Sequence, residues 1–508
     1  MKRLYFVVTF VLLSWTCKSQ EPFRDGIFAC YPIENDSTCV SISLSPIEGI
    51  ADTLSETLVI PQRVRHKEKV YDVYEIGDNG FVGYQGENVI IPDGVKVVGE
   101  NAFYGCSHLT SIEIPASVMI VKNGAIANCP NLEIVSVSNF NIRYDSRNNC
   151  NAVVETNSNK LIAGCSKTVI PASITSIGTR AFQDCVKLYD VIIPEGVKNI
   201  ESEAFLRCYD MKTVRLPQSL VSIDGDAFND CQSLSEVLIP MNVENIDYNP
   251  FSNCPGLNRI RVDARNKYYD SRDGCNAIME TASGTLVSAC SNTIIPSSTK
   301  SIRMFAFKGL IKLSTITVPA SVCKIDGGCI ADCPNLTSIQ VEPGNSFYDS
   351  RDNCNCIIET ATNTIISGCS TSSFPNGIKA IGNYAFFGMM TEHRLELPKT
   401  LEVVGLFAFS GCHNLEYLVV PSSVRKMFQS FVGCRELKRV EFEDGITEIY
   451  PSSFSDCISL SSIFLPSSLK KIGSNAFSGC TRLRYMTFPS TLEYVGKNAF
   501  DGCLVNKK

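Results

Sequence analysis

Histidine and tryptophan are scarce in this sequence of 508 residues, which contains four histidines and one tryptophan. The histidines, His66, His108, His393 and His413, are scattered along the chain without the spacing of a metal-binding site. We therefore expect no metal and no cofactor. Basic residues form no stripe and the net charge is −6, so we also expect no nucleic-acid partner.

Catalytic motifs are missing as well. The sequence contains no G-x-S-x-G motif, no P-loop and no dinucleotide-binding fingerprint. Segments that begin with "YDSR" at Tyr144, Tyr269 and Tyr348 gather Asp, Arg, Asn and Cys, but none contains a histidine to activate a cysteine. In the second segment Arg272 stands where a calcium-binding loop needs an acidic ligand. We predict that the protein is not an enzyme and that these segments are structural.

Beyond the N-terminus, no stretch is apolar enough to cross a membrane. Lys2 and Arg3 precede the apolar run "LYFVVTFVLLSW", which predicts a secretory signal peptide over residues 1–19. Two processing routes are open: cleavage after Ser19, or lipoprotein processing with acylation of Cys17. The leucine that a lipobox usually has three residues before its cysteine is a serine here. Either route predicts export, to the cell surface at the outer membrane or to the extracellular space, with membrane contact only through a lipid anchor.

A repeated unit, L-x-x-I-x-I-P-x-x-V-x-x-I-x-x-x-A-F-x-x-C, fills most of the chain. Copies such as "LSSIFLPSSLKKIGSNAFSGC" follow one another with a spacing of 23 residues almost throughout. Three coils have a spacing of 33 residues, and in these the proline is replaced by Ser138, Asp263 or Glu342. The alternation in "LxxIxI" predicts a short strand with one buried face. Proline ends this strand because it cannot donate a ladder hydrogen bond.

Such units cannot bury their apolar face alone, and stacking neighbours makes the core continuous. We therefore predict a solenoid over residues 61–508, with a parallel sheet along one side. Residues 20–60 do not fit the repeat, and two strand-like runs around "ENDS" predict an N-terminal β-hairpin cap. The ten additional residues of each long coil are expected to project from the solenoid as a β-hairpin insert.

The units with "IP…V…I…AF…C" resemble the BspA-type leucine-rich repeats of bacterial surface proteins, over nearly everything from Val59 to Cys503. The resemblance implies an α/β-type repeat solenoid, right-handed, with the parallel β-sheet on its concave face. It also implies a non-catalytic surface protein that adheres to host or matrix proteins, or to other cells. The alternative is a structural envelope component or an assembly scaffold without a host ligand.

Half of the 24 cysteines occupy one slot of the repeat, after the "AF" pair. Leu310 and Met389 fill this slot in two other units, which favours free thiols that pack as small apolar side chains. Strained disulfides between neighbouring coils are the alternative. The slot cysteines are Cys106, Cys129, Cys185, Cys208, Cys231, Cys254, Cys333, Cys412, Cys434, Cys457, Cys480 and Cys503.

Eight further cysteines are candidates for disulfides, with free thiols as the alternative. Two cysteines in each long coil lie 15 residues apart and face each other if the segment between them folds as a symmetric hairpin. Another two flank the predicted turn of the N-terminal hairpin. The four candidate pairs are Cys150 with Cys165, Cys275 with Cys290, Cys354 with Cys369, and Cys30 with Cys39.

The outward positions of the strands are the expected binding surface, for an extracellular protein or glycan. Most of them hold small or polar residues, but arginine and aromatic side chains appear toward the C-terminus, and these types are enriched in binding hot spots. Ordinary strand propensity is the alternative explanation. The predicted ligand-binding face consists of Tyr417, Val419, Arg439, Glu441, Phe464 and Tyr485. A second, smaller candidate is Arg259 and Arg261 beside Glu236; the oligomeric state stays open.

Overall fold

The computed structural model describes residues 21–34, 36–44, 56–484 and 486–505. The predicted signal peptide, with Cys17, and the predicted site residue Tyr485 lie outside the described residues. Among the described residues, no helix has the length and apolar character that a membrane span requires.

The first side of each coil is a strand of three or four residues, and these strands pair in parallel to form what we call the long-strand sheet. Alternate side chains point inward. Val440 and Phe442 are buried, whereas Arg439 points outward and is exposed. This is the arrangement that the "LxxIxI" pattern predicts. The strands are Thr57–Val59, Asn88–Ile90, Ser111–Ile114, Ile134–Val137, Asp190–Ile192, Thr213–Arg215, Glu236–Ile239, Arg259–Val262, Thr315–Val318, Ser338–Val341, Arg394–Glu396, Tyr417–Val420, Arg439–Phe442 and Ser462–Phe464.

The second side carries strands of two residues, which also pair in parallel and form the short-strand sheet. They correspond to the "V-x-x-I" part of the repeat, and most of their second residues are buried in the core. The strands are Val97–Val98, Ile120–Val121, Ser176–Ile177, Asn199–Ile200, Ser222–Ile223, Asn245–Ile246, Ser301–Ile302, Lys324–Ile325, Ala380–Ile381, Val403–Val404, Lys426–Met427, Glu448–Ile449, Lys471–Ile472 and Tyr494–Val495.

The third side, around "AF", is a series of turns and not a helix. Asn475 and Gly479 both have positive φ, at 55° and 76°, and such pairs four residues apart recur from coil to coil. Left-handed residues at this spacing interrupt any α-helix. The backbone bonds run between coils instead, as from the Phe477 N–H to the Ala499 carbonyl at 2.8 Å.

The implied α/β class is therefore wrong, and the fold is a parallel β-solenoid. Within the ranges that the structure describes, the helical elements are three 3-10 turns, Arg147–Asn149, Arg272–Gly274 and Arg351–Asn353. Each of them contains a residue with positive φ, which limits it to a single turn.

Antiparallel strands cover the N-terminal end of the solenoid. Phe23–Asp25, Phe28–Ile33 and Asp36–Leu44 pair in sequence order, and Asp36–Leu44 then pairs in parallel with Lys69–Ile76. Arg63–His66 adds to the other edge of Lys69–Ile76 as an antiparallel partner. Thr57–Val59, the first strand of the long-strand sheet, lies in the sequence between Asp36–Leu44 and Arg63–His66. The N-terminal strands therefore alternate along the chain with the first coil of the solenoid.

The three long coils share one arrangement, which we call the inserts (residues 144–165, 269–290 and 348–369). In the first insert, Lys160–Gly164 pairs antiparallel with Ala152–Glu155 and parallel with Ser176–Ile177. Its last strand therefore belongs to the short-strand sheet, and the insert does not project as a free arm. The insert strands are Tyr144–Asp145, Ala152–Glu155, Lys160–Gly164, Tyr269–Asp270, Ala277–Glu280, Thr285–Ala289, Tyr348–Asp349, Ile357–Glu359 and Thr364–Ser367.

Phenylalanine rings stack from coil to coil in the core. The C-terminal stack joins six rings from Phe386 to Phe500, with centroids 4.9 to 5.6 Å apart. A second stack of four rings runs from Phe182 to Phe251. These stacks extend the core along the solenoid axis, because parallel rings repeat at the spacing of the coils.

The slot cysteines are free thiols, and most of them are fully buried, as the repeat predicts. Besides packing as small apolar side chains, these cysteines donate hydrogen bonds to backbone carbonyl groups. The Cys208 Sγ lies 3.1 Å from the carbonyl oxygen of Phe182 in the preceding coil, and the Cys457 Sγ lies 3.2 Å from that of Phe431. A thiol is a weak donor that fits beside a carbonyl where a larger side chain would not.

A candidate ligand-binding face

The predicted face is built by the four consecutive strands of the C-terminal part of the long-strand sheet. Their parallel register aligns one row of outward positions, which contains Arg394, Tyr417, Arg439 and Ser462. A neighbouring row contains Glu396, Val419, Glu441 and Phe464. Because the repeat spacing is constant, residues far apart in the sequence stand side by side.

Arginines and aromatic rings alternate across this face. The Arg394 guanidinium lies over the Tyr417 ring at 4.2 Å, and the Arg439 guanidinium lies over the Phe464 ring at 4.2 Å and near the Tyr417 ring at 5.3 Å. Cation–π contacts of this kind hold both partners in fixed orientations. The face is therefore ordered while its surface remains accessible, since 49% of Phe464 is exposed.

Carboxylates complete the network and set its charge. The Tyr417 hydroxyl donates to a Glu441 carboxylate oxygen, and this bond raises the pKa of Tyr417. Arg439 lies 3.6 Å from the same carboxylate, and the Arg394 Nε donates to Glu396 at 2.6 Å. The formal charges of the two arginines and two glutamates therefore cancel, and the face offers both polar and apolar surface.

The structure brings together five of the six predicted residues: Tyr417, Val419, Arg439, Glu441 and Phe464. Sequence reasoning missed Arg394 and Glu396, which form the first row of the same network. The signal was present, because both residues occupy the outward positions of the unit that ends at Pro398.

The smaller candidate lies closer to the N-terminus, on the two-stranded sheet of Glu236–Ile239 and Arg259–Val262. Arg261 Nη2 lies 3.7 Å from the Glu236 carboxylate, and both side chains are about half exposed. They line a groove of about 420 Å³ together with Arg215 and Leu238. No aromatic ring takes part in this groove, which distinguishes it from the C-terminal face.

The predicted disulfides of the inserts are not formed, because all six cysteines are free thiols in the structure. A β-bulge explains this: Glu155 pairs with Lys160, but after the irregularity Ala152 pairs with Gly164. Continuing that register places Cys165 opposite residue 151 and not opposite Cys150. The same shift occurs in the other two inserts.

Cys30 and Cys39 are also free thiols. Cys30 pairs across the hairpin with Ile42, three residues beyond Cys39, so the two cysteines do not face each other. Cys39 instead pairs in parallel with Asp72. Burial of Cys30 raises the pKa of its thiol to about 11, which makes it unreactive at neutral pH.

Within the described ranges, no group of three or more His, Cys, Asp or Glu side chains is arranged to hold a metal ion. The inserts, with their dense Asp, Arg, Asn and Cys, hold internal hydrogen bonds instead. Arg351 binds the Asp349 carboxylate through two of its nitrogens, at 2.9 and 2.6 Å, and reaches Asn363 at 3.0 Å.

Comparison with known protein families matches this chain to the BspA type leucine-rich repeat region, over residues 74–162, 160–272, 287–369, 363–431 and 427–507. Among solved structures, a leucine-rich cell surface protein from Faecalibacterium prausnitzii is 22% identical, with a TM-score of 0.39 and coverage of 94% of this chain and 95% of that chain. A leucine-rich repeat protein from Bacteroides ovatus is 22% identical, with a TM-score of 0.30 and coverage of 95% and 92%. The pneumococcal vaccine antigen PcpA is 15% identical, with a TM-score of 0.38 and coverage of 97% and 100%. No curated protein matches the sequence.

Proposed function

Because this chain belongs to the family of BspA type leucine-rich repeat proteins, we propose that it is a non-catalytic recognition protein that acts at the cell exterior. Its ligand is an extracellular protein or glycan, of a host, a matrix or another cell. The proposal includes export through the N-terminal segment to the outer membrane surface or the extracellular space. It also includes a right-handed solenoid with the long-strand sheet on the concave side.

The observation that carries the proposal is the alternation of Arg394, Tyr417, Arg439 and Phe464 on one sheet face. Most outward positions along this side of the solenoid carry small or polar residues, such as Thr315 and Thr317. Arginine and aromatic residues that are already held in place lose little conformational entropy when a ligand binds. They are therefore suited to act as binding anchors.

Binding of the mature protein to a panel of extracellular matrix proteins and to a glycan array tests this proposal. For a ligand found in this way, we expect Arg439→Ala and Phe464→Ala each to weaken binding about tenfold or more, because hot-spot truncations cost about 2 kcal/mol or more. Arg265→Ala, an exposed arginine outside both candidate surfaces, is the matched control and should leave the affinity unchanged.

A structural scaffold would give a different set of results. Protease treatment of intact cells should release fragments of a surface recognition protein, whereas an internal envelope component would be protected. Failure to bind any member of either panel, together with protection on intact cells, would favour the scaffold. An unchanged affinity in both Arg439→Ala and Phe464→Ala would remove this face from consideration.

A further inference from the structure

The long-strand sheet is interrupted after every insert. Asp190–Ile192, Thr315–Val318 and Arg394–Glu396 each begin a new sheet, although the preceding coil should supply a parallel neighbour. In the repeat, the strand ends just before the proline. The three residues at this place in the preceding coils are 168–170, 293–295 and 372–374, which we call the return segments. None of the return segments is a strand.

A hydroxyl group in each return segment binds it to the insert. The Ser372 hydroxyl donates to the Asn355 carbonyl at 2.7 Å and accepts from the Cys369 N–H at 2.7 Å. The Ser372 N–H donates to the Cys369 carbonyl at 3.1 Å, whereas Leu395, the residue at the same place in Arg394–Glu396, faces the next strand of the sheet. Thr293 and Thr168 make the corresponding bonds in the other two copies. The inserts therefore hold the return segments away from the sheet.

Arg394–Glu396 is consequently an edge strand. The Tyr417 N–H donates to the His393 carbonyl and the Leu397 N–H donates to the Val419 carbonyl, so Leu395 is the residue whose backbone faces the next strand. By the alternation of strand hydrogen bonds, the backbone groups of Arg394 and Glu396 point the opposite way. No described residue of the return segment reaches them with a backbone bond.

A groove lies where the missing strand would be. It has a volume of about 460 Å³ and runs between Ser372–Phe374 on one wall and Arg394–Glu396 on the other. Phe386 and Phe409 contribute to its lining. An apolar lining and a row of unpaired backbone groups are the two features that a strand needs from its neighbour.

We propose that this groove binds an extended segment of a partner protein, which adds to the Arg394 edge as a parallel strand. The inference rests on the proposed function, because the added strand would extend the sheet that carries the binding face. The chain itself specifies the occupant: in other coils the same place is filled by a peptide strand, such as Ser111–Ile114 beside Ile134–Val137. Donors and acceptors that alternate along an edge match a polypeptide backbone, and a glycan does not supply them at this period.

The first insert produces a second groove of the same kind. It measures about 380 Å³ and lies between the return segment 168–170 and Asp190–Ile192. Its apolar character is stronger, because 73% of Val169 and 66% of Ile192 are exposed. The Thr168 N–H donates to the Cys165 carbonyl within its own turn and so leaves this edge open as well.

Two probes test the proposal at the Arg394 edge: the labelled heptapeptide LTSIEIP, which copies Leu109–Pro115, and a random heptapeptide library displayed on phage. We expect binders whose affinity falls about tenfold in Glu396→Pro, which removes an N–H that faces the groove and is not part of the internal ladder. Glu396→Ala removes the same side chain but keeps the N–H, so it is the matched control and should change the affinity less than about twofold.

A second measurement needs no protein variant. By the register of the copied strand, the N–H of Ile112 faces the next strand and that of Glu113 faces away, so N-methylation at the former position of the peptide should abolish binding and at the latter should not. Hydrogen exchange at the Arg394 and Glu396 amides should also slow when the peptide binds. The proposal is overturned if neither probe yields a binder that separates Glu396→Pro from Glu396→Ala, or if both methylated peptides bind equally.

These results can be separated from those of the proposed function. If a matrix protein or glycan depends on Arg439 and Phe464 but neither peptide probe separates Glu396→Pro from Glu396→Ala, the recognition face stands and strand addition fails. If strand addition is found but Arg439→Ala and Phe464→Ala have no effect on any ligand, the reverse conclusion holds.

Discussion

At the scale of single residues, buried thiols couple the stability of the protein to pH. Burial raises the pKa of Cys208 and Cys231 well above the ordinary value, and that of Cys254 to about 12. A thiol whose pKa is raised by folding contributes fully below its unfolded pKa, near 9, and the contribution is lost as the pH rises further. The unfolding free energy should therefore fall above about pH 9, by up to about 1.4 kcal/mol per pH unit for each such thiol.

Urea unfolding at pH 8 and pH 10 measures this effect. The double variant Cys208→Ala with Cys231→Ala should lose less stability between the two pH values than the parent protein, because it lacks two of the titrating groups. Equal losses would show that these thiols do not carry the pH dependence. Cys323 is exposed, so Cys323→Ala is the matched control and should behave as the parent does.

The state of the insert cysteines is a second prediction at this scale. We expect alkylation under denaturing conditions without reductant to modify Cys150, Cys165 and their counterparts, because the β-bulge moves each pair out of register. Mass spectrometry of the digested protein counts the modified thiols. Recovery of an unmodified pair that becomes reactive only after reduction would contradict the structure. Without unfolding, the exposed Cys323 should react first.

At the scale of elements, one asparagine determines how each insert leaves its coil. The Asn345 amide donates to the Pro319 and Val322 carbonyls at 3.0 and 2.9 Å, and its oxygen accepts from the Phe347 and Tyr348 N–H groups at 2.9 Å each. Asn141 and Asn266 make the corresponding four bonds in the other inserts.

Asn345→Ala should lower the unfolding free energy by about 2 to 4 kcal/mol, because it leaves several partly buried backbone groups without a partner. Asn335→Ala is the matched control: its exposed amide makes one bond, to the Ile311 carbonyl, and its loss should cost less than about 1 kcal/mol. Chemical denaturation of both variants gives the comparison. A similar cost for the two substitutions would show that the four-bond asparagine is not important for the insert.

Three residues after each of the four-bond asparagines, a tyrosine hydroxyl accepts a backbone hydrogen bond that a carbonyl group would otherwise accept. The hydroxyl of Tyr348 accepts the Ile325 N–H at 2.9 Å, and Tyr269 and Tyr144 do the same for Ile246 and Val121. The loss of proline at the start of each long coil has a matching reason. The Glu342 N–H donates to the Val318 carbonyl at 2.9 Å, a bond that proline could not make. All three long coils lack this proline, and Glu443 makes the corresponding bond to Val420 in a coil of ordinary length.

Much of this architecture was predictable from the sequence because the repeat spacing sets the register between coils. The spacing predicts that Tyr417 lies beside Arg439. Through the unit that ends at Pro398, the same spacing also predicts Arg394 and Glu396 as the first members of the two outward rows. Two features were not predictable in this way. Residues such as Phe407 and Gln429 adopt positive φ because neighbouring coils impose it, so local propensity did not reveal the turn side. A bulge also moves a register by one residue without changing the sequence pattern.

At the scale of the whole molecule, the solenoid should tolerate the loss of one complete period. Deletion of residues 209–231 removes 23 residues and joins Cys208 to the next equivalent unit. Asp190–Ile192 would then face Glu236–Ile239, and each apolar row would remain continuous. Contacts in a solenoid are made almost entirely between neighbouring coils, so the distant coils are not affected.

We expect this variant to keep its β-sheet circular dichroism and one cooperative thermal transition, with a midpoint a few degrees lower because one interface between coils is lost. Deletion of residues 209–220 removes about half a period and is the control, because it brings outward positions into the core and should abolish cooperative unfolding. Binding of any ligand at Arg439 should survive the first deletion, since that face is built by other coils. Loss of this binding in a variant that still unfolds cooperatively would mean that recognition depends on the length or curvature of the entire solenoid, and not on the local C-terminal face.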